Sequence, residues 1–485
     1  MPLYLLILVP LVAALAAFLI PRSLWGRWWR PFLVPISGIS HLAMVAYLLH
    51  TATPLNSDTW LVLDPLNRLM LLVISLLFAI CSLYVPPYLH LRNDERNRIF
   101  CICLPALLGL MSLILLSHHL GLLWVAVEAT SLVTAPLIYF NRSPLSIEAA
   151  WKYLLVCSVG IALALLGSFF LAYSSLQIRE EVFTSTLLFD DLIRVAPKLS
   201  KAWLHVAFAT LLVGYGTKMG LAPLHAWKPD AYGEAPGIVG ALLAGGVTSC
   251  AFVAIIRFTS IMHAAGEFAY ASKLLIGLGI FSVVLAAIFL IRQRDIKRLL
   301  AYSSVEHMGI LVLGLGIGGL GCFASLFHVL NNSLAKGILF IAAANIHRAY
   351  GSKSIDLVRG AFRRTPWSGA FLLLGMFAVT GSPPFSPFVS MFTLVQAMFA
   401  DGRTILTTVF ILVLLIAFLG ISMSFLSILQ GEPPEDAAKT PYHDSLGTVL
   451  PLVLLTITIT FLGVYLPPEL ESMLNAAVAY VEVVR

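Results

Sequence analysis

Charged residues are scarce in this chain: Asp, Glu, Lys and Arg make up 11% of 485 residues, against about a quarter in an ordinary soluble domain. With 59% hydrophobic residues, a water-soluble fold of this size has too little polar surface to cover its apolar mass. Cysteine is equally sparse, at six residues (Cys81, Cys101, Cys103, Cys157, Cys250 and Cys322), all in or beside apolar stretches. Cys101 and Cys103 form C-x-C rather than the C-x-x-C of a redox or zinc site, so these thiols read as core residues. Walker A, dinucleotide-binding, H-E-x-x-H and iron–sulfur cysteine patterns are all missing. That leaves no cofactor or metal for the chain itself and argues against an independent enzyme. The formal charge of +6 belongs to the loops and says nothing about nucleic acid.

What is present is apolar length. A spanning helix needs about 20 mostly apolar residues, and such stretches recur from Leu3 to Leu466. Read against charged and Pro/Gly breaks, they predict an all-α polytopic membrane protein of about fourteen transmembrane helices. The expected spans are 2–20, 32–50, 64–84, 99–117, 119–140, 150–174, 202–227, 237–257, 270–291, 299–317, 320–347, 367–399, 404–429 and 447–466. The first has no basic n-region and reads as a retained span. The longest polar insert, 176–201, carries Glu180, Glu181, Asp190, Asp191 and Arg194 with enough Leu and Phe to lie along the membrane surface. Lysine and arginine concentrate after odd-numbered spans, in the set Arg292, Arg294, Lys297, Arg298 and the run Arg348 to Arg364. By the positive-inside rule both termini face away from the cytoplasm.

A charge near the bilayer centre costs roughly 2.5–3.5 kcal/mol on insertion scales, so each needs a partner or a purpose. Glu128 sits mid-span in LLWVAVEATSLVTAPLIYF, Lys218 in LLVGYGTKMGLAPLHAW, and Lys336 in LFHVLNNSLAKGILF. His328, Asn332 and Lys336 follow at i, i+4, i+8 and share one helical face. Glu306 and His307 open the span YSSVEHMGILVLGLGIG, where a histidine can change charge near neutral pH. Glu128 and Lys218 could form an ion pair that loosens to pass a proton onward. A row of His, Asn, Lys and water is what a proton wire across lipid requires. Arg68 is close enough to its span end to reach the interface, and His118 and His119 fall in an interhelical turn.

Two spans look interrupted. Pro223 follows GYGTKMG in the seventh, and GSPPFSPF places Pro383, Pro384 and Pro387 within the twelfth. Proline frees a carbonyl that lipid cannot satisfy, so such breaks belong where protein or cavity water lines them. Breaks five spans apart suggest two inverted repeats, as in many transporters.

KMGLAPLHAWKPDAYGEAP, AYSSVEHMG and FHVLNNSLAKGILF resemble the antiporter-like subunits of respiratory complex I, Mrp antiporters and membrane-bound [NiFe] hydrogenases, over about residues 60–430. EATSLVTAPLIYFNRSP, WKYLLVCSVGIALALLG and the Glu of YSSVEHMG are most similar to the F component of hydrogenase-4, of formate hydrogenlyase type. The resemblance implies two inverted five-helix repeats with broken helices 7 and 12. Its divisions are N-terminal helices 1–3 over 1–98, a first repeat over 99–258, a second over 270–430, and helix 14 over 447–466 with a short tail, 467–485. It also implies proton transfer through Glu128, Lys218, His328 and Lys336, which with His225, Ser249, Glu306 and His307 make up the candidate proton-transfer residues.

Two positions depart from the pattern. Ser249 stands where many relatives carry an eighth-helix lysine, and Met391 where a twelfth-helix glutamate or lysine is usual. Serine can hold a water, whereas methionine cannot relay a proton, which puts the usual exit in question and points to Glu306 and His307 as another route. The leading functional expectation is a multi-pass subunit of the cell inner membrane, moving protons or sodium, coupled to redox chemistry elsewhere in a hydrogenase-like complex. Ni–Fe and Fe–S centres would then belong to partner subunits and a peripheral arm. The alternatives are an Mrp-type antiporter or inorganic-carbon uptake complex, and a structural subunit that no longer conducts.

Overall fold

The computed structural model describes residues 2–21, 23–50, 60–92, 96–176, 187–434, 440 and 442–483. Glu180 and Glu181 of the polar insert lie outside these residues. Among those described, the chain is built from helices, and twelve helical stretches are long and apolar enough to cross a membrane. The elements that position the interior are α1 (Pro2–Leu19), α2 (Leu33–His50), α3 (Pro65–Ser82), α4 (Asn97–Leu116), α5 (Leu120–Ile138), α6 (Pro144–Leu176) and α7 (Lys201–Met219). After them come α8 (Trp227–Glu234), α9 (Gly237–Ala264), α10 (Phe268–Leu290), α11 (Ile296–Ile317), α12 (Leu320–Tyr350), α13 (Pro366–Val379) and α14 (Ser386–Ala400). The chain closes with α15 (Thr404–Leu429), α16 (Leu446–Val464) and α17 (Pro468–Val481).

The expected seventh and twelfth spans are the two that do not contribute to the twelve. The seventh ends at Met219, where Gly220 turns the chain with φ +81°, and helix resumes only at Trp227. The twelfth is divided between α13 and α14 by the proline-containing segment 380–385.

The apolar stretches of α9 and α12 are enclosed by the other helices, and that of α11 nearly so. Their burial explains why the polar residues of α12 matter: His328, Asn331, Asn332, Ser333 and Lys336 all lie in the protein interior, away from lipid. Close helix approach is arranged by small residues, as is usual where lipid provides no hydrophobic drive between helices. On α7, a Cβ at Gly214 would fall 2.5 Å from the Ala164 nitrogen of α6, and on α10 one at Gly279 would fall 2.8 Å from the Leu313 nitrogen of α11. A π-turn at Leu243–Val247 distorts α9 where it meets α12. The Gly245 carbonyl there accepts Ser333 Oγ of α12 at 2.8 Å.

Two sequence assignments need correction. The eighth span was expected to end at residue 257, leaving Arg257 at its mouth. The helix instead runs on to Ala264, and Arg257 is buried, its Nη2 donating to Asp64 Oδ2 at 2.9 Å and Asn67 Oδ1 at 2.8 Å. Residues beyond Leu466, read as a short tail, contain α17. Leu470, Leu474, Ala477 and Val481 recur at helical spacing and pack α17 against α3, α9 and α12.

Candidate functional site

The polar interior begins on α5. Glu128 is half-buried, and Oε1 accepts Ser158 Oγ of α6 at 2.9 Å. One turn along α5, Ser131 Oγ reaches Glu128 Oε2 at 3.4 Å and accepts the ammonium of Lys218 at 2.7 Å. Lys218 Nζ also donates to the Tyr153 hydroxyl at 2.8 Å, and that hydroxyl meets Thr134 Oγ1 at 2.7 Å. The direct Glu128–Lys218 ion pair expected from the sequence is therefore not formed; a serine hydroxyl stands between the two charges. Lys218 is held in place because the tight α6–α7 packing points the last turn of α7 inward at Tyr153.

A second cluster lies between α11 and α12. Lys336 Nζ donates to Ser303 Oγ at 2.7 Å, and Glu306, one turn from Ser303 on α11, lies within electrostatic reach of the same ammonium. The neighbouring His307 points to a different partner: its Nδ1 is 2.8 Å from Nε2 of His328, and the two rings stack 5.1 Å apart. On the far side of His328, Nδ1 is 2.8 Å from Ser390 Oγ on α14, to which Asn331 Nδ2 also donates at 3.1 Å. Met391, next in sequence to Ser390, is a buried apolar residue packed near Gly381. The twelfth span thus meets this cluster through the Ser386 carbonyl, which accepts Asn331 Nδ2 at 3.0 Å, and through the Ser390 hydroxyl, one residue before the position that departs from the family pattern.

Of the eight residues singled out by the sequence, Glu128 and Lys218 share one cluster, and Glu306, His307, His328 and Lys336 share the other. Ser249 is buried, and its hydroxyl bonds the Gly245 carbonyl of its own helix at 2.7 Å. His225 lies in the segment between α7 and α8, only half-buried, beside the rings of Phe289 and Tyr302. The sequence reading missed the hydroxyls of Ser131, Tyr153, Ser303 and Ser390, and two cations placed at span ends, Lys228 and Arg257. Ser131 lies three residues after Glu128 and Ser303 three before Glu306. That spacing, same face and one turn apart, was the available signal for both.

Hydroxyls suit these positions chemically. Each can donate and accept, so it can exchange one proton for another without a net charge remaining on it. Several buried polar atoms around the clusters have no direct partner among the described residues: Nε2 of His307, Oδ1 of Asn331, and both amide atoms of Asn332. Buried polar groups are satisfied by protein or ordered water, so these atoms call for ordered water beside the clusters.

The family model "NADH:quinone oxidoreductase/Mrp antiporter, TM" matches residues 117–420, which contain both clusters. The chain is 33% identical to the "Hydrogenase-4 component F homolog" of Methylacidiphilum infernorum (isolate V4), over 96% of each protein. Its fold is similar to a chain of the membrane-bound sulfane sulfur reductase, an archaeal respiratory membrane complex, with a TM-score of 0.85, 22% identity and coverage of 99% and 97%. It is similar also to a chain of respiratory complex I from Thermus thermophilus, with a TM-score of 0.83, 22% identity and full coverage of both. With buried lysines on hydroxyl partners inside a helical membrane fold, and a family match across most of its length, the chain belongs to the NADH:quinone oxidoreductase/Mrp antiporter transmembrane family.

Proposed function

We propose that this chain is the antiporter-like subunit of a membrane-bound redox complex of hydrogenase type, moving protons across the inner membrane while electron transfer proceeds in partner subunits. The observation that carries the reading is the pairing of two fully buried lysines, Lys218 and Lys336, with hydroxyl groups in place of carboxylates. Protons would enter the first cluster from the flank where Glu128 and Ser158 are accessible, and reach the second through water along α12. Ser390 supports an exit on α14 despite Met391, which favours a conducting subunit over a purely structural one. The roles of the individual residues, two inverted repeats over 99–258 and 270–430, and termini facing away from the cytoplasm all form part of this proposal. Ni–Fe and Fe–S centres are assigned to the partners.

The test uses the complex isolated from its own membranes and reconstituted in vesicles with a pH-sensitive dye. Lys218→Ala and Lys336→Ala are expected to leave subunit composition and electron transfer in place while abolishing acidification. Normal pumping by both variants refutes the proposal. The subunits that co-purify decide between a redox complex and an Mrp-type or carbon-uptake assembly.

A further inference from the structure

Between the two clusters lies a cation that neither uses. Lys228 opens α8, immediately after the break that ends α7, and its side chain is fully buried. Its position follows from Gly220. That residue sits at φ +81°, and a Cβ on it would fall 2.6 Å from Lys228 Cδ and 2.7 Å from Cε. The lysine therefore runs back along the broken segment to a point two residues beyond Lys218. Trp227 fixes the start of α8 from below: its ring packs 5.0 Å from Tyr153, the residue that holds Lys218, and its Nε1 donates to the Thr217 carbonyl at 2.9 Å.

The same ammonium, which a Cβ at Gly220 would approach to 3.0 Å, also lies near the second cluster. Lys228 Nζ lies 5.8 Å from the centre of the Tyr232 ring, and Tyr232 packs 5.6 Å from Phe340, one turn along α12 from Lys336. Tyr232 lies close to Ser304, the neighbour of the serine that binds Lys336. Lys228 is within electrostatic reach of both Lys336 and His307. Lys228 Nζ has no direct hydrogen-bond partner among the described residues, while the Tyr232 and Ser304 hydroxyls have none beyond each other. A buried ammonium without a partner, beside two hydroxyls that have only each other, calls for ordered water.

Building on the proton-transport reading above, we propose that Lys228 is the relay joining the two clusters, taking from α8 the place that Ser249 leaves unfilled on α9. Ser249 offers no ionisable group at that place, and its hydroxyl donates to the Gly245 carbonyl of its own helix. In one passage the ammonium of Lys218 releases a proton and the amine of Lys228 takes it up. Lys228 then gives a proton, through water at Tyr232 and Ser304, to the amine of Lys336. Each transfer moves one proton: Lys218 is reset by the next proton to arrive, Lys228 by its transfer to Lys336, and Lys336 by releasing its proton onward.

Lys228→Met and Lys228→Arg in the intact complex separate a relay from a structural charge. Arginine retains the charge and much of the length but does not release a proton. Both variants are expected to keep electron transfer and subunit composition while slowing proton delivery by at least about tenfold. Gly220→Ala, which pushes the lysine stem aside, is expected to lower the proton-to-electron ratio as well. Wild-type pumping by Lys228→Arg overturns the relay, since charge alone would then suffice, and so does failure of both Lys228 variants to assemble. If Lys218→Ala and Lys336→Ala stop pumping while Lys228→Met does not, the relay is wrong and the broader reading survives. If none of them alters pumping, both fall.

Discussion

Replacing Arg257 with methionine removes the buried cation that pairs with Asp64. The geometry allows the cost to be worked out. Arg257 Nη2 holds Asp64 Oδ2 at 2.9 Å and Asn67 Oδ1 at 2.8 Å, with both members of the ion pair almost completely buried. Its guanidinium also lies over the Phe189 ring, 5.0 Å from the centroid, and Tyr480 of α17 is close by. With Leu115 of α4, whose carbonyl accepts Nη2 at 3.4 Å, five segments of the chain meet at this one side chain. Methionine fills much of the volume but leaves a buried carboxylate unpaired, which costs about 3–5 kcal/mol. Asp64 also caps α3, where its Oδ1 accepts the Asn67 backbone N–H at 2.7 Å. Asparagine at position 64 keeps that acceptor and carries no charge. The double variant Asp64→Asn/Arg257→Met should therefore recover most of the loss, with about 1 kcal/mol remaining for the missing hydrogen bonds. Unfolding in mixed detergent micelles, followed by intrinsic tryptophan fluorescence, measures both the single and the double variant against the parent chain. A single-variant cost under about 1 kcal/mol, or a double variant no more stable than Arg257→Met alone, would refute the reasoning.

Two further perturbations probe the transport path. Tyr153→Phe removes one of the two hydroxyls on Lys218, and with Ser131→Ala removes both; proton flux in vesicles should fall several-fold in the single variant and by at least about tenfold in the double. Unchanged flux in the double variant would show that Lys218 does not work through these groups. Met391→Glu should yield no gain in flux and weaken assembly, because Ser390 already supplies the polar contact and a carboxylate would enter an apolar site. Faster translocation in that variant would mean that the α14 exit had indeed been lost.

The helices were readable because lipid imposes a length and an apolar composition on each of them, and the interior charges because few reasons exist to bury one. Glu128, Lys218 and Lys336 stand many residues from either end of the spans expected from the sequence and so declared themselves. Lys228 and Arg257 did not, because hydropathy judges a residue by its neighbours in sequence. A cation next to a break reads as a loop residue until the path of the chain is known. The hydroxyl partners were hidden for a different reason. Serine and threonine are inexpensive in a buried helix, where they can bond the preceding turn, as Ser75 does to Leu71 and Thr248 to Ala244. Nothing in composition separates those from Ser131 or Ser303. The C-terminal helix was legible but overlooked: its apolar spacing was present, while Glu469 and Glu471 gave it the look of a polar tail.

The structure places two kinds of buried cation in one membrane domain, and the difference between them is mechanical. Arg257 touches its carboxylate directly and belongs to a side chain that holds its protons at any relevant pH, so it fastens helices together and moves nothing. Lys218 and Lys336 rest on hydroxyls. Two unit charges in contact at 4 Å attract by about 4 kcal/mol at an effective dielectric of 20, and by about 3 kcal/mol with a hydroxyl's width added between them. The reduction is modest, and so Glu128 still favours a cation at Lys218. What changes is the route: a proton leaving the ammonium meets a group able to accept it and to donate another in its place. Direct pairing would offer only the carboxylate itself, where the charges would cancel and the proton would stay. A domain that needs its lysines to load and unload repeatedly gains from keeping carboxylates one hydroxyl away, and Ser131 occupies that position between Glu128 and Lys218.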